Sequence, residues 1–283
     1  MIAPGDRRGA VVGLIDSARA RLGLSLFRCD DEPVLEAIGR AAARGVHVRA
    51  LLTGRARGSK AHLKQLRKRL KQSGAQVRRY ADPVVRYHAK YAIADASSAI
   101  VASLNFTQKC FHDTCDFLLR SADPGLVAEL LRLFDADWEG TPYSPVRPDV
   151  DRLIVGPDAA RRRFRALLEE ARRTVRLIDP KLRDPAMLAL LKAKASQGVV
   201  VEIRDTAGLG ALVPHGKLLM VDDVVAVTGS IALSTMALDF RRELAVVIRD
   251  RASLAQLEAF WGSLPPVRAA EPCSSLSSQE PVS

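Results

Sequence analysis

Apolar positions in the chain switch repeatedly between two periods. In "LLEEARRTVRLID" (167–179) a helical spacing runs into a β-branched segment. In "AIGRAAARGVHVRALL" (37–52) an Ala-rich helix ends at Gly45, a C′ glycine, and an alternating strand follows. The pattern predicts helix, strand, helix, strand, and it is written twice. "DSARARLGLSLF" (16–27) aligns with "EEARRTVRLIDP" (169–180), and "EAIGRAAARGVHVRALL" (36–52) with "ALLKAKASQGVVVEIRD" (189–205). Even "MIAPGD" at the start resembles "IVGPDA" at 154–159. Ala18 falls opposite Ala171 and Gly45 opposite Gly198 at one constant offset. Strands alternating with helices predict an α/β layer architecture with parallel strands. The Pro-rich "GTPYSPVRPD" (140–149) reads as a linker between an N-terminal half, 1–145, and a C-terminal half, 150–265. Two such halves suggest a pseudo-twofold arrangement, like a homodimer fused end to end. The last stretch, 266–283, is rich in Pro, Ser and Glu and reads as a disordered tail.

The halves differ in one place. The first carries an extra stretch, "GSKAHLKQLRKRLKQSGAQVRRY" (58–80), predicted to be a helix with Leu63, Leu66 and Leu70 on one face, then a strand. The second has only "TAGLGALVP" (206–214).

Downstream of these units the chemistry-bearing residues also repeat. "HAKYAIAD" (88–95) and "HGKLLMVD" (215–222) share the spacing HxK(x4)D. On a strand His88 and Lys90 point the same way, with Ala92 and Ala94, while Tyr87, Tyr91 and Ile93 pack behind. Ser103 follows Asp95 at the interval at which Ser230 follows Asp222, and Asp116 matches Glu243 in the same way. Asn105 shares a face with Ser103. One HxK is weak, because such pairs are common on solvated strands. Two copies with the same downstream serine and acid, inside a repeated βα unit, are specific.

Composition narrows the partner. Of 283 residues 48% are hydrophobic, enough for a sizeable core, and the formal net charge is +11. That balance favours anionic partners: phosphate esters, nucleic acid or an anionic membrane surface. Four cysteines, Cys29, Cys110, Cys115 and Cys273, form no CxxC pair, and no His cluster stands at metal-ligand spacing beside them. A reduced, cytoplasmic protein is therefore expected. The N-terminus has no apolar signal core, and no apolar run approaches the roughly 18 residues of a membrane span. A membrane would be met peripherally.

With its two HxK(x4)D motifs, each followed by a serine and an acid, the chain resembles the phospholipase D superfamily over about residues 1–263. The stretch "GSIALSTMALDFRRELAVVI" is most similar to the bacterial cardiolipin synthase and phospholipase D-like branch. The resemblance implies a phospholipase D-like fold: two similar α/β lobes, each a mixed β-sheet flanked by helices, related by a pseudo-twofold axis with the active site between them. It also implies metal-independent phosphodiester chemistry without a cofactor, with catalytic His88, Lys90, Asp95, His215, Lys217 and Asp222. The supporting set is Ser103, Asn105, Asp116, Ser230 and Glu243, and the nucleophile is His88 with His215 as acid/base. The side chains suit such chemistry. One imidazole can form a phosphohistidine while the other shuttles the proton. The lysines can stabilise the non-bridging oxygens, and the serines and Asn105 can add hydrogen bonds. Asp116 and Glu243 can each orient a histidine. Asp95 and Asp222 also read as strand-end structural groups. The expected substrate is a phospholipid whose phosphatidyl group is cleaved off or transferred to an alcohol. The alternatives are a nuclease of the same superfamily acting on DNA or RNA, and a non-catalytic phosphate-binding scaffold. The oligomeric state is left open by the sequence, with a monomer plausible.

Three departures stand out: Ala102 precedes Ser103 where the family usually has Gly, Ala232 stands where the second half often has Asn, and the second half lacks the insert of the first. Beyond the motifs, His47 reads as structural, His62 as solvated, and His112 as a rim residue at most. Trp138 and Trp261 read as helix-end core anchors. The basic insert fits a solvated helix, a lipid-headgroup surface or a nucleic-acid surface. Arg241 and Arg242 are candidates for a substrate phosphate or a plain surface pair.

Overall fold

The computed structural model describes residues 4–54, 60–145, 152–204 and 209–265. The tail expected over 266–283 and most of the linker lie outside these residues. In chain order the first half folds as α1 (Pro4–Ser17), β1 (Arg21–Leu26), α2 (Glu32–Ala43), β2 (His47–Leu52), α3 (Lys60–Gln72) and β3 (Gln76–Arg79). It continues with β4 (Arg86–Tyr87), β5 (Tyr91–Ala94), β6 (Ser98–Ala102), α4 (Gln108–His112), β7 (Thr114–Cys115), β8 (Leu118–Ser121) and α5 (Pro124–Glu139). The second half contains β9 (Leu153–Val155), α6 (Ala160–Glu170), β10 (Thr174–Ile178), α7 (Pro185–Ser196), β11 (Val200–Arg204) and β12 (Val213–Pro214). It ends with β13 (Leu218–Val221), β14 (Val225–Gly229), α8 (Thr235–Phe240), β15 (Arg241–Arg242), β16 (Leu244–Ile248) and α9 (Arg251–Ser263).

Two mixed sheets result, ordered β3-β2-β1-β5-β6-β8 and β11-β10-β13-β14-β16-β9. The repeat shows in the matching order β2-β1-β5-β6-β8 and β11-β10-β13-β14-β16. Only β1, β2 and β3, and β10 with β11, are parallel; the other neighbours are antiparallel. The parallel strands read from the residues thus form only part of each mixed sheet, for a local reason. The chain reverses tightly after β5 and after β13, with positive φ at Asp95, Ala96, Asp222 and Asp223, and a tight hairpin joins only antiparallel strands.

The helices repeat their local chemistry. Asp31 caps α2 and Asp184 caps α7, each with Pro in the first turn and an aspartate oxygen accepting from a backbone N–H three residues on. Each capping carboxylate also binds an arginine of the preceding helix, Arg8 or Arg161. Asp123 and Asp250 cap α5 and α9, each accepting from the backbone N–H three residues on. The basic insert forms α3 and β3 as expected, with Leu66 and Leu70 buried.

Three apolar clusters fill the layers. One packs α1, α2, α3 and α4 on the outer face of the first sheet, and another packs α6, α7 and α8 on the second. The middle cluster joins the halves, with Tyr87, Tyr91, Phe117 and Phe134 beside Leu218, Leu244, Leu257 and Trp261. Ala92 and Ala94 face the outer cluster and Tyr91 and Ile93 the middle one, as alternation along β5 requires. Trp138 and Trp261 are buried at the ends of α5 and α9. Buried Arg242 adds an ionic link, its Nε 3.1 Å from Asp137 of α5 and its Nη1 2.9 Å from Asp158. This places Arg242 in the joint between the halves and not on a substrate.

The backbone of β14 approaches β16 so closely that a Cβ on Gly229 would lie 2.5 Å from Ala245 Cα. Its first-half counterpart, Ala102, is accommodated in β6. Gly229→Ala is expected to cost about 3 kcal/mol or more, the upper range for overpacking, read as a lowered midpoint in urea denaturation.

Candidate active site

The two sheets alone do not bring the motifs together. Two short inter-half ribbons do. β4 pairs in parallel with β15, with Tyr87 opposite Arg242, and β12 pairs in parallel with β7, with Pro214 opposite Cys115. Each ribbon continues by one backbone bond: His88 N–H donates to Arg242 O (2.9 Å) and Gly216 N–H to Cys115 O (2.6 Å). The residue after each ribbon strand is a site residue: His88 and Glu243 on one, His215 and Asp116 on the other. His88 and Lys90 therefore sit at the crossover from ribbon to sheet, between β4 and β5, and not within one strand.

The pairing is crosswise. His88 Nδ1 lies 2.5 Å from Glu243 of the other half. His215 Nδ1 lies 2.9 and 3.0 Å from the two oxygens of Asp116, again of the other half. The carboxylates are fully buried, while the imidazoles keep 13% and 27% of their side-chain surface, open to a ligand. Lys90 and Lys217 each fold back so that Nζ donates to the carbonyl of the histidine two residues before, at 2.5 Å.

The pairs differ in their support. Asp116 accepts from Ser103 Oγ and Thr114 Oγ1, both at 2.5 Å, as well as from His215. Burial pushes its pKa up, but the His215 hydrogen bond, the nearby cations and Ser103 outweigh burial and hold it below the ordinary value. Buried Arg7 of α1 donates to Thr114 O (2.7 Å) and Cys110 O (3.3 Å), bracing the loop that carries Asp116. Glu243 has no equivalent. Ser230 Oγ turns to the backbone of Leu244 instead. Burial pushes Glu243 up to about 7, against Lys90, Arg241, Lys217 and Lys181.

These surroundings act differently on the imidazoles. Burial holds His88 well below its ordinary value, and Lys90, Lys217, Arg241 and Lys181 push it the same way. Burial also lowers His215, but Asp116 opposes it. The Phe27 ring, just past the end of β1, stands 4.4 Å from the His88 ring in an edge geometry, with Lys90 Nζ 5.0 Å from its centroid. Phe27, Arg7 and Lys181 belong to this neighbourhood and carry no motif. Their only sequence signal is position, at the start of α1 or just past the ends of the repeated strands β1 and β10.

Other expected site residues fall elsewhere. Asp95 accepts the backbone N–H groups of Arg19, Ala20 and Arg21, and Asp222 those of Arg172, Arg173 and Thr174. Both stand at the far ends of β5 and β13 from the lysines, so the geometry assigns them to strand-end architecture and not to catalysis. Ser103 and Ser230 are 1% exposed and hydrogen-bonded behind the histidines, so they do not reach a substrate phosphate. Asn105 is 8% exposed, and its counterpart Ala232 is buried. His47, His62 and His112 are exposed, and His112 Nε2 contacts Arg8. Among the described residues one group has metal-ligand proximity, Cys110, Asp116 and His215. Its carboxylate oxygens already accept from Ser103, Thr114 and His215, and the Arg7 cation lies close to Asp116. The set does not suit a resident cation.

With this geometry in view, the comparisons agree on a class: an α/β protein built from the phospholipase D-type sheet. Residues 11–138, which include the first motif, match the family model described as the cardiolipin synthase, PLD-like domain. The first half of the chain is thus similar in sequence to the phospholipase D-like domain family. No curated protein sequence matches it. Polyphosphate kinase from Porphyromonas gingivalis shares the fold with a TM-score of 0.73 and 19% identity, over 89% of this chain and 44% of that one. The chain thus spans less than half the length of that kinase. Phosphatidylserine synthase of Haemophilus influenzae Rd KW20 superposes with a TM-score of 0.71 at 12% identity, over 93% of this chain and 84% of that one. Nuc, a phospholipase D family member from Salmonella typhimurium, is 23% identical over 48% of this chain and 88% of its own, with a TM-score of 0.43.

Two predictions follow from the ribbons and strand ends. A Cβ on Gly216 would lie 2.6 Å from Cys115 O and 3.0 Å from Asp116 Cα. Gly216→Ala should therefore separate His215 from Asp116, seen as a changed His215 imidazole pKa in NMR titration. Asp222→Asn should lower stability by about 1–2 kcal/mol through weakened backbone hydrogen bonds, measured by urea denaturation, while the His215 pKa stays at the wild-type value.

Proposed function

We propose that this protein cleaves or exchanges phosphodiester bonds in two displacements, with His88 as nucleophile and His215 as acid and base. The observation that carries the reading is the pair of crosswise imidazole–carboxylate contacts, with a lysine from each half electrostatically coupled to both histidines. His88 Nδ1 stands 2.5 Å from Glu243 and 3.0 Å from Lys90 Nζ; with the ring proton on Nδ1, the Nε2 lone pair is left for phosphorus. Burial, with the surrounding cations, keeps that ring neutral. Asp116, braced as an ionised carboxylate, favours the imidazolium of His215.

In the first step His88 Nε2 attacks phosphorus, the P–O bond to the leaving group breaks, and the leaving oxygen takes the proton from His215 Nε2. In the second, His215 removes a proton from water or an alcohol, whose oxygen forms a new P–O bond. The P–N bond breaks and returns its electron pair to His88. Splitting the reaction through a covalent intermediate gives two easier barriers. Lys90 and Lys217 balance charge on the non-bridging oxygens.

The charge supports a polyanionic phosphodiester, DNA or RNA, as substrate: the chain carries +11, and Lys60, Lys64, Arg67, Lys68 and Lys71 line exposed positions of α3. Such a distribution is the footprint of a nucleic-acid surface. The phospholipid reading rests on the cardiolipin synthase description of the matched family. No helix among the described residues is long and apolar enough to cross a membrane, so a lipid would be met at a membrane surface. The free, buried thiols of Cys29, Cys110 and Cys115 fit a reducing, cytoplasmic setting. The two halves, 1–145 and 150–265, each supply one histidine and one acid across a pseudo-twofold axis, so a monomer holds a whole site.

The test uses bis(p-nitrophenyl) phosphate with chelator present, then single-stranded DNA and phosphatidylglycerol vesicles in parallel. His88→Ala should abolish turnover. His215→Ala should retain a burst of p-nitrophenol, a leaving group that needs no acid, and accumulate an acid-labile phosphoenzyme. Full activity in His88→Ala would overturn the mechanism. The pH dependence has a definite sign. Turnover needs His88 neutral and His215 protonated, and both pKa values lie below the ordinary 6.5. The optimum of kcat/KM should therefore fall on the acid side of 6.5, with loss above it as His215 deprotonates and loss well below it as His88 protonates.

A further inference from the structure

The site gathers four basic side chains around its two histidines. Besides Lys90 and Lys217, the second half adds two cations outside the repeated motif, Lys181 and Arg241. Arg241 follows α8 directly, and its Nη1 lies 3.5 Å from Glu243, the carboxylate against His88. Lys181 lies just past β10, and its place is fixed by a built device. Buried Asp179 accepts from the Lys181 N–H (2.8 Å) and from the Leu233 N–H (2.5 Å). Those two bonds tie the Lys181 loop to the segment after β14. Asp179 also lines, with Lys217, the same small cavity behind the site. The charges of Lys181 and Arg241 both act on His88, Lys90 and Glu243, so the four cations form one cluster. Lys181 is exposed and has no carboxylate partner among the ion pairs of the described residues.

The first half matches this pair only in part. Opposite Arg241 in the repeat stands Thr114, whose hydroxyl is spent on Asp116. Opposite Lys181 stands Arg28, whose guanidinium lies over the Phe27 ring at 5.6 Å. The surplus charge is thus one-sided. On the carboxylate side, Asp116 is engaged by His215, and burial pushes Glu243 up to about 7 and Asp179 above its ordinary range. Burial and the neighbouring cations pull Lys90 and Lys181 below their ordinary values, the mark of like charges crowded together, and a second bound anion would offset that crowding.

We propose that Lys181 and Arg241 form a second anion subsite, which takes a phosphate adjacent to the scissile diester. The substrate then carries two neighbouring phosphate groups, either successive backbone phosphates or a diphosphate. This rests on the phosphodiester reading above and narrows it against zwitterionic phospholipids, which offer one phosphate and a cationic headgroup.

Binding tests the subsite without requiring turnover. Inorganic pyrophosphate and orthophosphate are titrated calorimetrically into the full chain, with Arg165→Ala as a control for an exposed cation of α6 paired with Glu169. Pyrophosphate should bind at least about 10-fold more tightly than orthophosphate. Lys181→Ala and Arg241→Ala should each cut that ratio several-fold, Arg241→Lys should restore part of it, and Arg165→Ala should leave it intact. Equal affinity for the two anions, or a preference that survives in both alanine variants, would overturn the proposal. Turnover of a dinucleotide with and without a 5′-phosphate, beside a diphosphate-bridged dinucleotide, identifies the source. A gain in kcat/KM on 5′-phosphorylation that Lys181→Ala removes assigns the subsite to the next backbone phosphate; a gain confined to the bridged ester assigns it to a diphosphate. No gain with either would count against the subsite. Absence of turnover on every ester, with the pyrophosphate preference intact, would sink the catalytic reading and keep the subsite.

Discussion

The contact on which the molecule depends is the exchange of partners between halves: each imidazole is held by a carboxylate from the other half. Neither half owns a complete pair. His88 meets Glu243 because β4 pairs with β15, and His215 meets Asp116 because β12 pairs with β7. Two residues per strand are too few to be stable alone. The ribbons persist because the middle apolar cluster, spanning both sheets with α5 and α9, presses them together. The burial that stabilises the joint also removes water from Asp116 and Glu243. Packing between the halves and tuning of the site are therefore one physical event.

From a near-symmetric frame the chain derives unequal chemistry by small changes. Thr114 in one ribbon becomes Arg241 in the other, and Asp116 becomes Glu243. Ser103 spends its hydroxyl on the acid, while Ser230 spends its own on backbone. Asp116 consequently has donors for both oxygens, and Glu243 has mainly distant cations. Burial lowers both imidazoles, but the hydrogen-bonded Asp116 offsets part of it at His215, while the cations around His88 add to it and hold that ring further toward its neutral form. The two imidazoles thus differ electrostatically without any change in the histidines themselves.

Much of this was legible in the sequence. The repeat, the HxK pairs, the basic helix with buried Leu66 and Leu70, and the tryptophan anchors all follow from periodicity and spacing, and the structure contains them. The mixed sheet, named with the family, was half-hidden from the residues, because hairpin geometry rests on positive φ at Asp95 and Asp222, which no hydrophobic pattern records. Asp95 and Asp222 share the motif's spacing with His88 and His215 although they do different work, since spacing carries no information about which strand end a residue occupies. The crosswise pairing was not legible either. It depends on long-range contacts between segments about 100 or more residues apart, such as His215 with Asp116.

Arg7 shows the same limit from the other direction. At the start of a helix on a basic chain it reads as one solvated cation among many, yet it is 0% exposed and donates to two carbonyls beside Asp116. A buried guanidinium is costly unless its hydrogen bonds are made, so the loop from Cys110 to Asp116 must keep its carbonyls turned toward α1. That requirement fixes the direction in which Thr114 and Asp116 emerge, and so fixes where His215 must stand. The first helix of one half thereby helps set the acid–base pair whose imidazole belongs to the other, through a chain of contacts with no gap in it.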